Sequence, residues 1–190
     1  MNVNETNLMP ISKHPLSDTQ SLRDIVSQVK AVMLTATDDD LRFAKSVDCD
    51  LMSKFYEIAA KYCGELTPQE KNLINSSRGL FGGQLYLLKK HYKIARPYVL
   101  AESLGIELPR RNLISRSGVG YSYPSIHAGE SRFVAHFMSR KYADSLGDIG
   151  RHELFNHANR VATSRVHMGV HSLQDIREGI RLADAQFNAS

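Results

Sequence analysis

Apolar residues recur at intervals of three and four along most of this chain, the spacing that places them on one face of an α-helix. In the stretch 21–34, for example, Leu22, Ile25, Val29 and Val32 share one face. Sequence patterns typical of strands are almost absent. Helices are predicted over 21–34, from 38, over 48–62, from 67, and over 79–95, 125–142, 146–166 and 173–187. The sequence therefore predicts an all-α fold.

The length and composition indicate one domain. With 190 residues, of which 42% are hydrophobic, the chain can bury one well-formed core. No repeat, low-complexity segment or composition shift divides residues 21–190, which are predicted to form a single-domain helical bundle. Residues 1–20 are polar and contain Pro10 and Pro15, so we expect an irregular N-terminal arm there.

Composition also argues against two classes of partner. No run approaches the roughly 18 apolar residues of a membrane span, so integral membrane contact is not expected. The net charge of +4 is modest, and the chain lacks the long basic run or aromatic platform of a general nucleic-acid surface. A small anionic substrate fits this locally concentrated positive charge better.

The compartment stays open. The first residues lack the basic-then-apolar layout of a signal peptide. The protein could be cytoplasmic, or exported after removal of a leader, or exported by a route that needs none. Cys49 and Cys63 could pair only if two helices bring them together, and two free, buried thiols are the simpler expectation.

Polar groups suited to catalysis gather in one stretch near the C-terminus. Gly169 is a predicted helix stop, because glycine tolerates the left-handed backbone of a C-terminal cap. Ser172, followed three positions later by Asp175, predicts a capping box that opens another helix. Arg165 would then end one helix, and His171 would lie in the elbow before the next, where Asp175 could orient its imidazole. Such a corner could bind an anion and hold a nucleophile or base.

Two other interpretations of this corner are open. Its residues could be a surface arginine, a packed histidine and an ordinary helix cap. Alternatively, His167, His171 and Asp175 could share one helix face at i, i+4 and i+8 and bind a metal ion. The predicted stop at Gly169 argues against the continuous helix that such a metal site would need.

A second stretch pairs two cations. Lys89 is followed after six residues by Arg96 and Pro97. Seven positions are almost two helical turns, so the two cations are predicted to face the same way, about 10 Å apart. Pro97 should end that helix and leave the Arg96 guanidinium at its tip. The alternative is an ordinary solvated basic helix.

A third stretch leads from a predicted long loop, residues 102–122, into a helix. Ser125 is a good N-cap, and the amides that follow it point out of the helix end, as anion binding requires. His127 would lie in the same first turn, within reach of a bound anion. By itself this stretch is a weak signal.

In chain order, the three stretches form one pattern: Lys, six residues, Arg-Pro; then Pro-Ser-x-His; then Ser-Arg, five residues, His, three residues, Asp. This pattern resembles the signature of the type 2 phosphatidic acid phosphatase and vanadium haloperoxidase superfamily. With Tyr123 before the serine motif and no apolar span, the chain is most similar to the class A bacterial nonspecific acid phosphatases. The resemblance covers roughly residues 35–187 and implies that residues 21–190 are a phosphatase domain with that family's helical fold.

The resemblance implies a metal-independent phosphomonoester hydrolase, an acid phosphatase that needs no cofactor. Arginine's planar fork suits paired contacts with phosphoryl oxygens. The groups that would hold those oxygens are the side chains of Lys89, Arg96, Arg165 and Ser125 and the backbone amides near Ile126 and His127.

It also implies the catalytic roles. His171 would attack phosphorus and form a phosphohistidine, while Asp175 holds its tautomer and stabilises the developing charge. His127 would protonate the leaving oxygen and then, as a base, activate the water that releases phosphate. Because one histidine must be protonated while the other is neutral, we expect a bell-shaped, chelator-insensitive pH profile with a mildly acidic optimum.

One residue departs from the family pattern. The family has glycine where this chain has Ile126, between the serine and the acid histidine. Glycine permits close approach of backbone to an anion, whereas a β-branched residue resists some of those conformations. Isoleucine could therefore narrow the pocket, tilt an amide or shift His127.

The substrate is not specified by these motifs. A nucleotide, as in an apyrase-like enzyme, a sugar phosphate, an inositol phosphate or a lipid headgroup would fit equally well. Two alternatives are a vanadate-dependent haloperoxidase and a catalytically weakened protein that binds a phosphorylated ligand. The oligomeric state is open, a homo-oligomer included.

Overall fold

Eight helices and no strand occur in the part of the chain that the computed structural model describes, residues 19–109 and 120–188. The predicted all-α class is confirmed. The helices are α1 Thr19–Thr35, α2 Asp38–Cys49, α3 Ser53–Cys63, α4 Pro68–Tyr92, α5 Pro97–Ser103, α6 Ile126–Lys141, α7 Ala143–His167 and α8 Leu173–Asn188.

Two long helices, α6 and α7, form the centre of the bundle. α6 packs against α4, α7 and α8, while α7 also contacts α1, α2 and α3. One apolar cluster lies between α3, α6 and α7 and includes Phe55 and Leu154. A second, which includes Val29 and Val166, joins α1 and α7 to α8, and a third joins α4, α6 and α8. The helices therefore form a single compact bundle.

Helix ends follow local capping signals. The hydroxyls of Thr37 and Thr67 accept hydrogen bonds from the backbone N–H groups of Asp40 and Glu70, and each carboxylate accepts one from the threonine N–H in return. Gly64 ends α3 with a φ of 77°. These reciprocal capping boxes satisfy amides that have no partner inside the helix. The helix starts predicted at 38 and at 67 are confirmed.

The single helix predicted over 48–62 is wrong. α2 ends at Cys49 and α3 begins at Ser53. Asp50 separates them, because its Oδ1 accepts hydrogen bonds from the backbone N–H groups of Met52 (2.9 Å) and Ser53 (3.0 Å). Such local side-chain bonds compete with helical hydrogen bonding and turn the chain.

The loop predicted over 102–122 also needs correction. α5 is absent from the predicted helices, and it extends into the first two residues of that loop. Pro97 is its first residue, a position where the fixed φ of proline suits a helix and its missing N–H is not needed. Residues 110–119 lie outside the described residues.

The remaining expectations concern the chain's start and its cysteines. α1 begins at Thr19, inside the predicted arm, and residues 1–18 are not described. Both thiols are free, but Cys49 is exposed and Cys63 only half-buried, so the expectation of two buried thiols is wrong. Among the described helices, none has the length and apolar character needed to cross a bilayer.

Candidate active site

The three predicted motifs meet around one cavity of about 460 Å³. The predicted site residues that line it are Lys89, Arg96, Ile126, His127 and His171. The others, each buried and next to a lining residue, are Ser125, Arg165 and Asp175. The structure thus brings all eight candidates to one place.

Lys89 lies in the last turn of α4 with its side chain buried. Its Nζ donates hydrogen bonds to the carbonyls of Tyr121 (2.9 Å) and Ser122 (2.6 Å). Burial and then the neighbouring Arg96 lower the pKa of Lys89 to about 7. An anion in the cavity would stabilise the protonated form of Lys89, because it would offset part of the hydration that the buried ammonium has lost.

Arg96 lines the cavity, but the prediction that it ends the helix of Lys89 is wrong. α4 ends at Tyr92, and Lys93 adopts a left-handed conformation with a φ of 51°. Arg96 is the N-cap residue of α5, so it does not share a helix face with Lys89. The two cations are nevertheless neighbours, since the charge of Arg96 lowers the pKa of Lys89.

The Arg96 guanidinium fixes the nucleophile candidate. Its Nε donates to the carbonyl of Gly120 (3.2 Å) and its Nη1 to that of Val170 (2.8 Å). Nη1 also lies 2.9 Å from His171 Nε2. A guanidinium can only donate, so Nε2 is the unprotonated ring nitrogen and Nδ1 carries the proton.

His171 is buried in the connection between α7 and α8, and its Nδ1 lies 3.4 Å from Asp175 Oδ2. Burial lowers the pKa of His171 well below its ordinary value, although Asp175 opposes the shift. The imidazole is therefore neutral, with its Nε2 lone pair on the side of Arg96 and its proton on the side of Asp175. This is the tautomer that a nitrogen nucleophile needs.

Asp175 is held by several donors. Its Oδ2 accepts hydrogen bonds from Ser122 Oγ (2.5 Å) and the Ser172 N–H (2.7 Å), and its own N–H donates to Ser172 Oγ (3.2 Å). The predicted capping box is confirmed. Burial alone would raise the pKa of Asp175, but hydrogen bonds from His171, Ser122 and the Ser172 N–H outweigh it and lower the pKa. The carboxylate stays charged beside the imidazole.

The metal interpretation loses the continuous helix on which it depends. α7 ends at His167, Gly169 adopts a φ of 67°, and α8 begins at Leu173. Within the described ranges, no group of three or more His, Cys, Asp or Glu side chains is placed to hold a metal ion. The predicted helix stop at Gly169 is confirmed.

Ser125 joins its own motif to the C-terminal stretch that contains Asp175. It is the N-cap of α6, as predicted, and its Oγ accepts a hydrogen bond from the Ala128 N–H (3.4 Å). Its own N–H donates to the backbone carbonyl of Asp175 (2.9 Å). α8 can approach this closely because Gly179 has no side chain: a Cβ there would overlap the Ser125 carbonyl oxygen. The N-terminus of α6 is thus fixed against the first turns of α8.

Asp48 is a site residue that the sequence analysis missed. Its Oδ1 lies 2.8 Å from Arg165 Nη2 and 3.7 Å from His127 Nε2. Arg165 is fully buried in the last turn of α7. Asp48 lies near the C-terminal end of α2, where the helix dipole disfavours a carboxylate. A carboxylate at this end of a helix would have indicated a specific role for Asp48, but the boundary between α2 and α3 was not predicted.

His127, the acid candidate, is neutral in the free cavity. Burial and then the charge of Arg165 lower its pKa to about 3, and Asp48 opposes this shift. An anion bound beside the ring would raise the pKa, because a neighbouring negative charge favours the protonated imidazole.

The mouth of the cavity contains residues that no motif marks. They are Tyr86, Lys90, Gly120 and Tyr121. Both tyrosines are exposed, and the Lys90 ammonium lies 4.8 Å from the Tyr86 ring centroid. They are placed to contact whatever group is attached to an anion bound further in.

Neither a scan against protein-family models nor a search of curated proteins found a match to this chain.

Proposed function

We propose that the cavity hydrolyses phosphate monoesters through a phosphohistidine on His171, without a metal ion or other cofactor. The observation that carries this proposal is the setting of His171: a buried, neutral imidazole with a carboxylate at Nδ1 and a guanidinium at Nε2. A nucleophile of this kind is suited to an electrophile whose oxygens are negatively charged, and phosphoryl groups are the common case.

The first half-reaction transfers the phosphoryl group to the protein. The Nε2 lone pair of His171 attacks phosphorus, and the bond from phosphorus to the leaving oxygen breaks. Arg96 transfers its Nη1 hydrogen bond from Nε2 to a phosphoryl oxygen, and Lys89 lies beside it. The ring keeps its Nδ1 proton and becomes cationic, which the charged Asp175 carboxylate stabilises.

His127 moves the proton in both half-reactions. A bound phosphate dianion raises its pKa, so the protonated ring donates to the leaving oxygen and is left neutral. In the second half-reaction the neutral ring takes a proton from water, the resulting hydroxide attacks phosphorus, and the bond to His171 breaks. Inorganic phosphate, neutral His171 and protonated His127 are then restored.

Arg165 has a different role from Lys89 and Arg96 in this proposal. Its Nη2 is paired with Asp48, and it does not line the cavity. It supports anion binding mainly through its charge, which reaches the cavity beside His127. The pairing with Asp48 keeps that charge in place.

A phosphate-release screen tests the proposal. Wild-type protein and His171→Ala are incubated with nucleotides, sugar phosphates and an aryl phosphate, with and without EDTA. We expect release by wild type that EDTA does not reduce, and none by His171→Ala. Loss of activity in EDTA with recovery on adding zinc would overturn the metal-independent mechanism.

Ile126 favours a second candidate, a phosphate-binding protein with little turnover. The side chain lines the cavity and also packs against the cluster of α4, α6 and α8 that includes Phe81 and Leu85. A bulky residue therefore stands at the start of α6, where the resembling family has glycine. The discriminating result would be tight binding of a phosphate analogue without hydrolysis of any ester in the screen.

The variant Ile126→Gly tests whether Ile126 slows the reaction or selects the substrate. If isoleucine hinders the reaction, the variant should raise kcat on the aryl phosphate, because the amides of α6 gain room to approach the anion. If it selects a substrate, the variant should lose that preference and gain no rate. Because Ile126 also packs against the core, the variant's unfolding free energy is measured in parallel, and a fall of about 1–3 kcal/mol is expected.

A further inference from the structure

One face of α4 carries exposed leucines at a regular spacing. Leu73, Leu80 and Leu87 are 49%, 75% and 61% exposed. They are seven residues apart, whereas the opposite face of the same helix is buried against α6. A seven-residue apolar repeat is the pattern by which two helices pair along their length.

Small residues lie between these leucines. With the leucines at heptad position a, position d is occupied by the exposed Ser76, Gly83 and Lys90, of which the first two lie between leucines. A Cβ added at Gly83 would meet no atom of the described residues within 4 Å. Packing within the described part of the chain therefore gives no reason for this glycine, which is less favourable than alanine inside a helix. Close approach of a second helix would supply the reason.

We propose that this face, the α4 stripe, binds α4 of a second copy of the chain in antiparallel orientation. The stripe consists of Leu73, Ser76, Leu80, Gly83 and Leu87. In an antiparallel pair, position a of one helix lies opposite position d of the other. Leu80 then fits over Gly83 of the second copy and Leu87 over Ser76, so that large side chains enter the spaces left by small ones.

Charge favours the antiparallel orientation. Glu70 lies in the first turn of α4, and Lys89, Lys90 and His91 lie in the last. The antiparallel register places the acidic first turn of each copy level with the basic last turn of the other, and it opposes the two helix dipoles favourably. A parallel pair would instead bring the two basic ends together.

The proposed interface is closed and independent of the phosphatase proposal. Each copy uses the same surface to bind the other, as in a two-fold dimer, so no binding surface stays open for the addition of further copies. Because Tyr86 and Lys90 lie on α4 and also line the cavity, the second copy would border the cavity mouth. The dimer can be tested without any substrate.

The first test is the oligomeric state of the full chain by sedimentation velocity over a concentration series. We expect a dimer for wild type and a monomer for Leu80→Glu. The matched control is Ile149→Glu, since Ile149 is 71% exposed on α7, and it should stay dimeric. A wild type that is monomeric at every concentration, as it would be if another segment of the same chain covered the stripe, overturns the proposal. So does a dimeric Leu80→Glu.

A second variant separates dimer loss from unfolding. Gly83→Leu places a side chain in space that is open in the isolated chain. We expect it to be monomeric and still to unfold cooperatively, because leucine favours helix and only the close contact is blocked. A Gly83→Leu dimer would show that the helices do not pack closely at this position.

Cysteine cross-linking tests the orientation in a Cys49→Ser background. Leu73→Cys and Lys90→Cys should form disulfides when the two proteins are mixed, because these positions face each other in the proposed register. Leu73→Cys alone should not, since its two copies would be about 25 Å apart. Efficient cross-linking of Leu73→Cys with itself would contradict antiparallel pairing.

Discussion

At the residue scale, Asp48 links Arg165 and His127. It pairs with Arg165 and lies 3.7 Å from His127 Nε2. Burial and Arg165 lower the pKa of His127, and Asp48 is the carboxylate that opposes them. In the proposed mechanism Asp48 is a positioning residue, which sets how readily His127 takes up a proton.

Asp48→Asn should therefore change the pH profile as well as the rate. Without the carboxylate, the pKa of His127 falls further, so a smaller fraction of the acid is protonated at a given pH. We expect kcat to fall by about 10²-fold and the alkaline limb of its pH profile, where the acid loses its proton, to move to lower pH. The control is Asp39→Asn, whose carboxylate is exposed on the same helix. A profile with the limb in the wild-type position would contradict this role.

The lowered pKa of Lys89 predicts that anion binding depends on pH. Its folded-state pKa of about 7 means that the free protein loses this charge as the pH rises through neutrality. Sulfate remains a dianion over this range, so its Kd should rise by up to about tenfold per pH unit above pH 7. Isothermal titration calorimetry measures this directly. A sulfate Kd that does not rise above neutral pH would place the anion away from Lys89.

At the element scale, the crossing of α6 and α8 holds two motifs together. A Cβ at Gly179 would overlap the Ser125 carbonyl oxygen and lie 3.1 Å from the Gly129 nitrogen. Both are backbone atoms, so they cannot swing away, and the helices would have to move apart.

Gly179→Ala should lower the unfolding free energy by about 1–3 kcal/mol and reduce phosphate release, because α6 carries both Ser125 and His127. Chemical denaturation and the release assay measure the two effects. Gly79→Ala is the control: its Cβ meets no neighbour among the described residues, so its unfolding free energy should rise by about 0.5–1 kcal/mol instead. Equal stability changes in the two variants would contradict the tight crossing.

Helix boundaries were predictable where the signal is local. Thr67, Gly169 and Ser172 act through bonds or backbone angles within a few residues, and the structure has each as predicted. The break between α2 and α3 at Asp50 was not predicted, because an aspartate can cap a helix or lie within one, and packing decides between the two. Asp48 escaped notice for a related reason: its partners lie on α6 and α7, far away in sequence.

At the scale of the whole molecule, the bundle assembles one cavity from the ends of several helices. Lys89 lies in the last turn of α4, Arg96 is the N-cap of α5, His127 lies in the first turn of α6, and His171 lies between α7 and α8. Because the bundle buries these groups together, Lys89 and His127 have lowered pKa values that no isolated motif would give. The motifs predicted which residues meet, whereas the direction from which each one arrives depended on packing between distant helices.

The most direct test of the central proposal is to trap the phosphoryl group on His171. In His127→Ala an aryl phosphate, whose leaving group needs little protonation, should still react, while the second half-reaction lacks its base. Rapid quenching in alkali followed by peptide mass spectrometry should then find phosphate on His171, and none should be found in the His127→Ala/His171→Ala double variant. Unmodified His171 during turnover, together with phosphate release by His171→Ala, would contradict the proposed mechanism.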